Sequence, residues 1–137
     1  MSEAGATLGR MVDETLQEVV LIVEDDVDLR ETVQEALAEG GVRAEGAANG
    51  RRAVELLQGG LRPCLIVLDL MMPVMSGWDF LSWLEAQPEP LCSIPVLIVS
   101  AAATDKVDVA RAIHPPVETF QKPVPLPVLL DAVERYC

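Results

Sequence analysis

A doubly wound α/β sheet is the fold class that this 137-residue chain predicts, and three observations predict it. Short apolar runs recur, VVLIV at 19–23, CLIVL at 64–68 and PVLIV at 95–99, and each reads as a strand buried on both faces. Segments of helical period with short connections alternate with them. Polar residues stand where the runs stop: Glu24 and Asp25, then Asp69, then Ser100, and Lys122 after a weaker stretch centred on Thr119-Phe120. A parallel sheet brings its strand C-termini to one edge. Residues up to 98 positions apart can therefore converge on a single rim.

Each element follows from local signals. Residues 1–17, with Gly, Ser, Thr and scattered acids, are expected to form a mobile N-terminal arm ahead of one domain at 18–137. Val19–Val23 opens the sheet. Val27–Glu39 puts Leu29, Val33, Ala36 and Leu37 on one helical face and stops at Gly40-Gly41. Val42–Ala47 is half polar, as suits an edge strand. Asn49 is placed to cap a helix over Arg51–Leu57 that ends at Gly59-Gly60. Cys64–Leu68, the most apolar run, should be central. Ser76 or Gly77 begins a helix through Ala86, and Pro88 and Pro90 break the chain after it. Pro95–Val99 is the fourth strand, Thr104 is placed to cap a helix ending near Ile113, and Val117–Phe120 is the fifth strand. The last helix starts near Leu126, where Pro125 and Pro127 fit its first turn. Five strands alternating with five helices make the doubly wound sheet.

Composition narrows the function. Ten basic residues against 22 acidic ones give a net charge of −12, a surface that repels nucleic-acid phosphates. The longest unbroken apolar run is five residues, and a membrane span needs about 20. No basic segment followed by an apolar one opens the chain, so no secretory signal is expected. Cys64, Cys92 and Cys137 are odd in number and lack metal-ligand spacing, which reads as a reduced, cytoplasmic protein.

The rim carries the chemistry. Glu24, Asp25 and Asp69 offer hard oxygen ligands without His or Cys, a set that suits Mg²⁺ or Mn²⁺ and not zinc. Lys122 supplies a point charge for an anionic oxygen on Asp69 or on a phosphoryl group carried there, and is read as an exposed rim lysine. Ser100 adds a hydroxyl. The bond from Lys122 to Pro123 is a candidate for the cis form. Met71, Met72 and Met75 are expected to pack beneath the loop after Asp69, and His114 to be a loop residue.

VVLIVEDDVDLR, LIVLDLMMPVMSG, VLIVSA and QKP occur in that order. Asp69 follows Asp25 by 44 residues, Ser100 follows Asp69 by 31, and Lys122 follows Ser100 by 22. Over residues 18–136 this pattern resembles the receiver domain of bacterial two-component response regulators. The resemblance implies a flavodoxin-like strand order 2-1-3-4-5. It implies Asp69 as phosphoacceptor from phosphohistidine on a sensor histidine kinase or histidine phosphotransfer domain. Asp25 would bind Mg²⁺ directly, Glu24 through water and Met71 through its backbone carbonyl, with Asp26 outside the acid pair. Ser100 and Lys122 would hold the phosphoryl oxygens. Met71 and Ala102 would flank the approach of a hydrolytic water.

Two departures touch the output face implied for a downstream protein, formed by helix four, strand five and helix five. Thr119 stands where the family usually has an aromatic residue, with Phe120 expected to face the core. His114-Pro115-Pro116 replaces a common Gly-Ala pair. A pseudo-receiver that signals by protein contact alone is therefore the alternative function. A haloacid-dehalogenase-like enzyme would need a second Asp where Met71 stands, so no catalysis is expected beyond the module's own phosphoryl transfer and dephosphorylation.

Overall fold

The computed structural model describes residues 17–137. The arm expected at 1–17 lies, apart from Gln17, outside the described residues. Gln17 already belongs to the first strand, so the sheet begins two residues before Val19.

Five parallel strands, β1 (Gln17–Val23), β2 (Arg43–Ala47), β3 (Pro63–Leu68), β4 (Val96–Ser100) and β5 (Glu118–Gln121), stand in the order β2-β1-β3-β4-β5. The helices between them are α1 (Val27–Glu39), α2 (Gly50–Gln58), α3 (Gly77–Glu85), α4 (Thr104–Ile113) and α5 (Leu126–Tyr136). β3 is central and β2 is the half-exposed edge, as the apolar content of each run anticipates.

Alternation along the buried strands divides the interior in two. Leu21, Val23, Ile66, Leu68, Val96 and Ile98 share a core with side chains of α2, α3 and α4. Val20, Ile22, Leu65, Val67, Leu97 and Val99 share the other with Val33 and Leu37 of α1 and Leu129, Ala132 and Val133 of α5. Each large side chain removed from water here contributes about 1.5–3 kcal/mol before entropy is counted.

Helix ends follow the sequence with one correction. Asn49 Oδ1 accepts from the Arg52 amide at 2.9 Å and Ser76 Oγ from the Asp79 amide at 3.2 Å. Gly41, at φ +83°, takes the left-handed turn after α1 that a side chain would resist. Thr104, however, is the first residue of α4, and its flanking Ala103 makes no side-chain cap. A three-residue 3-10 turn, Leu91–Ser93, follows the proline-rich loop without having been foreseen. β5 sits one residue later than Val117–Phe120 because Val117 donates to Val96 from outside the ladder. The Lys122–Pro123 peptide is cis as expected, and so is Glu89–Pro90.

Four side chains have surroundings that the sequence reading did not give. Leu29, expected on the buried face of α1, is 37% exposed and lines a cavity instead. His114 lies in the loop directly after α4, as expected, but is buried there, with Nδ1 2.6 Å from Glu85 Oε1 on α3. Cys64 and Cys137 are joined in a disulfide, which corrects the expectation of three reduced thiols and leaves Cys92 free among the described residues. Their separation of 73 residues hides the contact from any reading of spacing.

Candidate functional site

β1 and β3 end side by side, with Val23 paired to Leu68, so the next residues, Glu24 and Asp69, leave the sheet at the same level. Backbone bonds fix that exit: the Glu24 amide donates to Ala47 and the Asp69 amide to Val23, each at 3.0 Å. Oxygens of Glu24, Asp25 and Asp69 lie within 4.8 Å of one another. Glu24 and Asp69 are buried, at 6% and 5% exposure, while Asp25 is open to solvent.

Lys122 reaches this cluster from the end of β5. Its Nζ lies 2.6 Å from Glu24 Oε1 and 3.4 Å from Asp69 Oδ2. Its amide donates to the Ser100 carbonyl at 2.9 Å, which stitches the ends of β4 and β5 together. Lys122 is therefore no exposed rim lysine; its side chain is only 22% accessible and bridges two buried acids.

Each carboxylate is also held by main chain. Glu24 Oε2 accepts from the Asp26 amide at 3.1 Å, and Asp69 Oδ1 from the Met71 amide at 3.3 Å. Ser100, fully buried, accepts from the Ala102 amide at 3.1 Å through Oγ, so its own hydroxyl proton remains for donation. Asp26 stands outside the cluster as expected, capping α1 through the Asp28 and Leu29 amides.

Charge and burial compete here. Burial pushes the Glu24 carboxyl above its ordinary range; the hydrogen bonds from Lys122 and the Asp26 amide oppose this, and the charge of Asp69 adds to it. For Lys122 burial pulls downward, yet the hydrogen bond to Glu24 and the charges of Asp69 and Glu24 together leave the ammonium above its ordinary value. Three carboxylates against one ammonium leave an excess of negative charge that a divalent cation would relieve. The all-oxygen donor set fits Mg²⁺.

The loop after Asp69 is folded tightly back. Gly77 donates to the Leu70 carbonyl at 2.8 Å, and Gly50 at the start of α2 donates to Met75 at 3.0 Å. A Cβ on Gly77 would fall 2.6 Å from the Asp69 carbonyl oxygen and 2.6 Å from Leu70 Cα, so only glycine fits. Val74 holds φ +69° and is 73% exposed, a conformation that a β-branched residue adopts only under strain. Met72 and Met75 pack against the core as expected. Met71 does not: it is 55% exposed beside the cluster. Ala102, by contrast, is buried, so of the two residues implied to flank a hydrolytic water Met71 has the open side chain.

Sequence reading left Arg30 without a role. Its guanidinium donates to the Glu24 carbonyl at 2.7 Å and anchors the acidic turn to the first turns of α1. A basic residue one helical turn or two past an acid pair was the available signal. At the far side of the sheet, Thr119 Oγ1 accepts from the Arg111 guanidinium of α4, and Phe120 packs against the α1–α5 core as expected.

A parallel sheet in this order, with carboxylates at the C-terminal ends of adjacent strands, places this protein among the doubly wound proteins whose sites lie at the switch point of the sheet. Within that class the family model for the response regulator receiver domain matches residues 20–134, and the chain belongs to that family. Its members are signalling modules that bind Mg²⁺ at an acidic pocket and work with histidine kinases or phosphotransfer partners. Protein Rrf1 of Nitratidesulfovibrio vulgaris is 32% identical over 117 residues, covering 85% of this chain and 80% of its own. The alkaline phosphatase synthesis transcriptional regulatory protein SphR of Synechococcus elongatus is 33% identical over 94 residues, 63% of this chain, and the match spans only 35% of that longer protein. Among solved structures, the signal receiver domain of a signal transduction histidine kinase from Syntrophus aciditrophicus superposes with a TM-score of 0.77 at 33% identity, covering 88% of this chain and 89% of its own. No helix among the described residues is long and apolar enough to cross a membrane.

Proposed function

We propose that residues 18–137 are the phosphoryl-accepting module of a cytoplasmic His-Asp phosphorelay, with Asp69 as phosphoacceptor and its phosphorylation switching partner binding. The observation that carries this reading is a buried Asp69 held between Lys122 and a main-chain amide inside a triad of carboxylates. A sensor histidine kinase or histidine phosphotransfer domain presents phosphohistidine. An oxygen of Asp69 attacks phosphorus; the new P–O bond forms as the P–N bond breaks, and the electron pair stays on the imidazole nitrogen. Such a transfer is mostly positioning and charge neutralisation. Lys122, already 3.4 Å from Asp69 Oδ2, and the free proton of Ser100 would receive the phosphoryl oxygens. Glu24, Asp25, Asp69 and the backbone carbonyl of Met71 would hold Mg²⁺, or Mn²⁺ in its place. The cation supplies charge neutralisation to the incoming phosphoryl group. A downstream protein would dock on the face of α4, β5 and α5. The net charge of −12 argues against direct nucleic-acid binding by this segment.

Acetyl phosphate with Mg²⁺, followed by electrophoresis in a phosphate-retarding gel, tests the reading. A retarded band is expected for the wild type and none for Asp69→Asn. A pseudo-receiver is the second reading, favoured by the tie of Thr119 to Arg111 where an aromatic switch would sit. An unretarded wild type that still binds its partner would favour it.

A further inference from the structure

α1 and α5 lie side by side on one face of the sheet, and open clefts flank the packed seam between them at both ends. At the rim end a cavity of about 440 Å³ opens between Leu29 and Val33 of α1 and Leu129 of α5. At the far end a second cavity of about 420 Å³ separates Leu37 of α1 from Leu130 and Val133 of α5, with Cys137 in its wall. α5 buries only Leu129, Ala132 and Val133, and no side chain caps its start. Its last turn is held on one flank by polar contacts near the surface, Arg135 to Glu118 at 2.7 Å and the half-buried Tyr136 Oη to Glu118 at 3.4 Å. On the other flank stands the bond from Cys137 to Cys64, whose Cα atoms are 5.5 Å apart. A last turn with no fully buried side chain after Val133 and with polar ties near the surface is weakly held. The covalent link is thus the strongest attachment of this turn to the sheet.

We infer that Cys64 and Cys137 form a reversible oxidative modification site, whose oxidation fastens the end of α5 to β3 and whose reduction releases it. The two sulfurs are placed for exchange. Cys137 is exposed at the end of α5, where a small thiol or disulfide can reach it, whereas Cys64 is partly buried at the start of β3. With a low-molecular-weight disulfide as oxidant, the Cys137 thiolate attacks one of its sulfurs and expels one thiolate. The Cys64 thiolate then attacks the Cys137 sulfur of the mixed disulfide and expels the second. Two protein thiols lose two protons and two electrons, and the oxidant leaves as two thiols. On reduction a small thiolate attacks the accessible Cys137 sulfur first, and Cys64 departs. The Cys64 thiol then has an acceptor waiting, because the Val19 carbonyl oxygen lies 3.3 Å from its Sγ. In a compartment that keeps thiols reduced, such a bond forms under oxidative load. It is an input to α5 that bypasses Asp69.

The test uses the full chain incubated with oxidised glutathione or with dithiothreitol. Oxidation is expected to remove two hydrogens from the intact mass and to leave one titratable thiol, Cys92, in the denatured protein. It should raise the melting temperature by roughly 5 °C or more and slow amide exchange in residues 133–137. Cys137→Ser, an exposed change that leaves the core alone, should abolish both effects, and Cys92→Ser should keep them. Asp69→Asn should keep them as well, which separates failure of this inference from failure of the phosphoacceptor reading. Three titratable thiols after oxidation would overturn the site. A bond that forms without moving melting or exchange, or a shift that survives Cys137→Ser, would overturn its fastening role.

Discussion

The acidic rim and the face of α4, β5 and α5 meet at β5, whose end carries Lys122, and are built by opposite means. At the rim, Glu24 and Asp69 are buried and each is gripped by a main-chain amide and by Lys122. On the face of α4, β5 and α5, the ties are between side chains near the surface: Arg111 to Asp108 and Thr119, Arg135 to Glu118. Val109 and Val117 stand out of the surface there. Exposed pairs of this kind contribute about 0–1 kcal/mol each. Groups fixed by backbone in a dry setting keep their geometry, which is what phosphoryl transfer asks for. Groups tied by long side chains at the surface exchange partners easily, which would suit the proposed docking face. Tightly held carboxylates and loosely tied surface groups thus meet at one strand, β5.

Mutations can break or sharpen this contrast. The largest effect should come from Asp69→Asn, which leaves the shape and removes the proposed nucleophile: modification by acetyl phosphate should vanish. Borohydride trapping and mass spectrometry that put the phosphoryl group on another residue would sink the assignment.

Lys122→Ala should come next. It leaves two buried carboxylates without a counter-charge, so the metal-free protein should lose about 1–3 kcal/mol, below the range for a fully buried pair because Lys122 keeps some solvent contact. Mg²⁺ should restore part of the loss. Lys122 titrates above its ordinary value in the fold. Its contribution is therefore fully present below the unfolded lysine pKa, near 10.4, and is lost as pH rises through the folded one. Urea titrations of both proteins at neutral and strongly alkaline pH would reveal a gap that closes only at the alkaline end; a gap constant with pH would contradict the bridge.

Asp25→Ala should act on metal affinity and spare the fold, since Asp25 is the exposed member of the triad. In wild type, Mg²⁺ at about 100 times Kd should add about 2.7 kcal/mol of stability, and the variant should lose most of that gain while its metal-free form stays as stable or more so. An Mg²⁺-induced shift in melting temperature that survives the change would remove Asp25 from the site. Met71→Asn should shorten the lifetime of the phosphoprotein several-fold by placing an amide where it can hold water near Asp69, an effect worth about 1 kcal/mol per factor of five. A lifetime unmoved by it would place control of water elsewhere.

The smallest effect belongs to the soft side. Thr119→Ala gives up one exposed hydrogen bond from Arg111, so stability should change by less than about 1 kcal/mol and partner binding by the phosphorylated form by less than tenfold. A larger loss with normal phosphorylation would mean that the output face is as tightly organised as the rim.

What sequence made legible follows the same division. The strands and their terminal acids could be read because a buried parallel strand is a continuous apolar run, and the first polar residue after it marks the edge. Caps at Asn49 and Ser76 were visible for an equally local reason. The contacts that escaped are those between elements. His114 meets Glu85 only because α3 and α4 pack together, Cys64 meets Cys137 only because α5 crosses the foot of β3, and Arg111 finds Thr119 across a helix-to-strand gap. The misjudged exposure of Met71 and of Lys122 has one cause. Residue type fixed their chemistry, but the fold of the loop and the reach of the side chain fixed their surroundings.

Val74 carries a consequence for how stiff the acidic edge is. A β-branched residue at φ +69° costs about 1–2 kcal/mol of backbone strain, and at 73% exposure little burial offsets it. Glycine would relax the turn, yet glycine also frees the unfolded chain by about 0.4–1 kcal/mol. The two changes oppose each other, so net stability should move little while the turn gains freedom. Valine at this position therefore acts as a stiffener: it narrows the conformations open to the segment between Met71 and Ser76, which leaves the acidic edge just after Asp69.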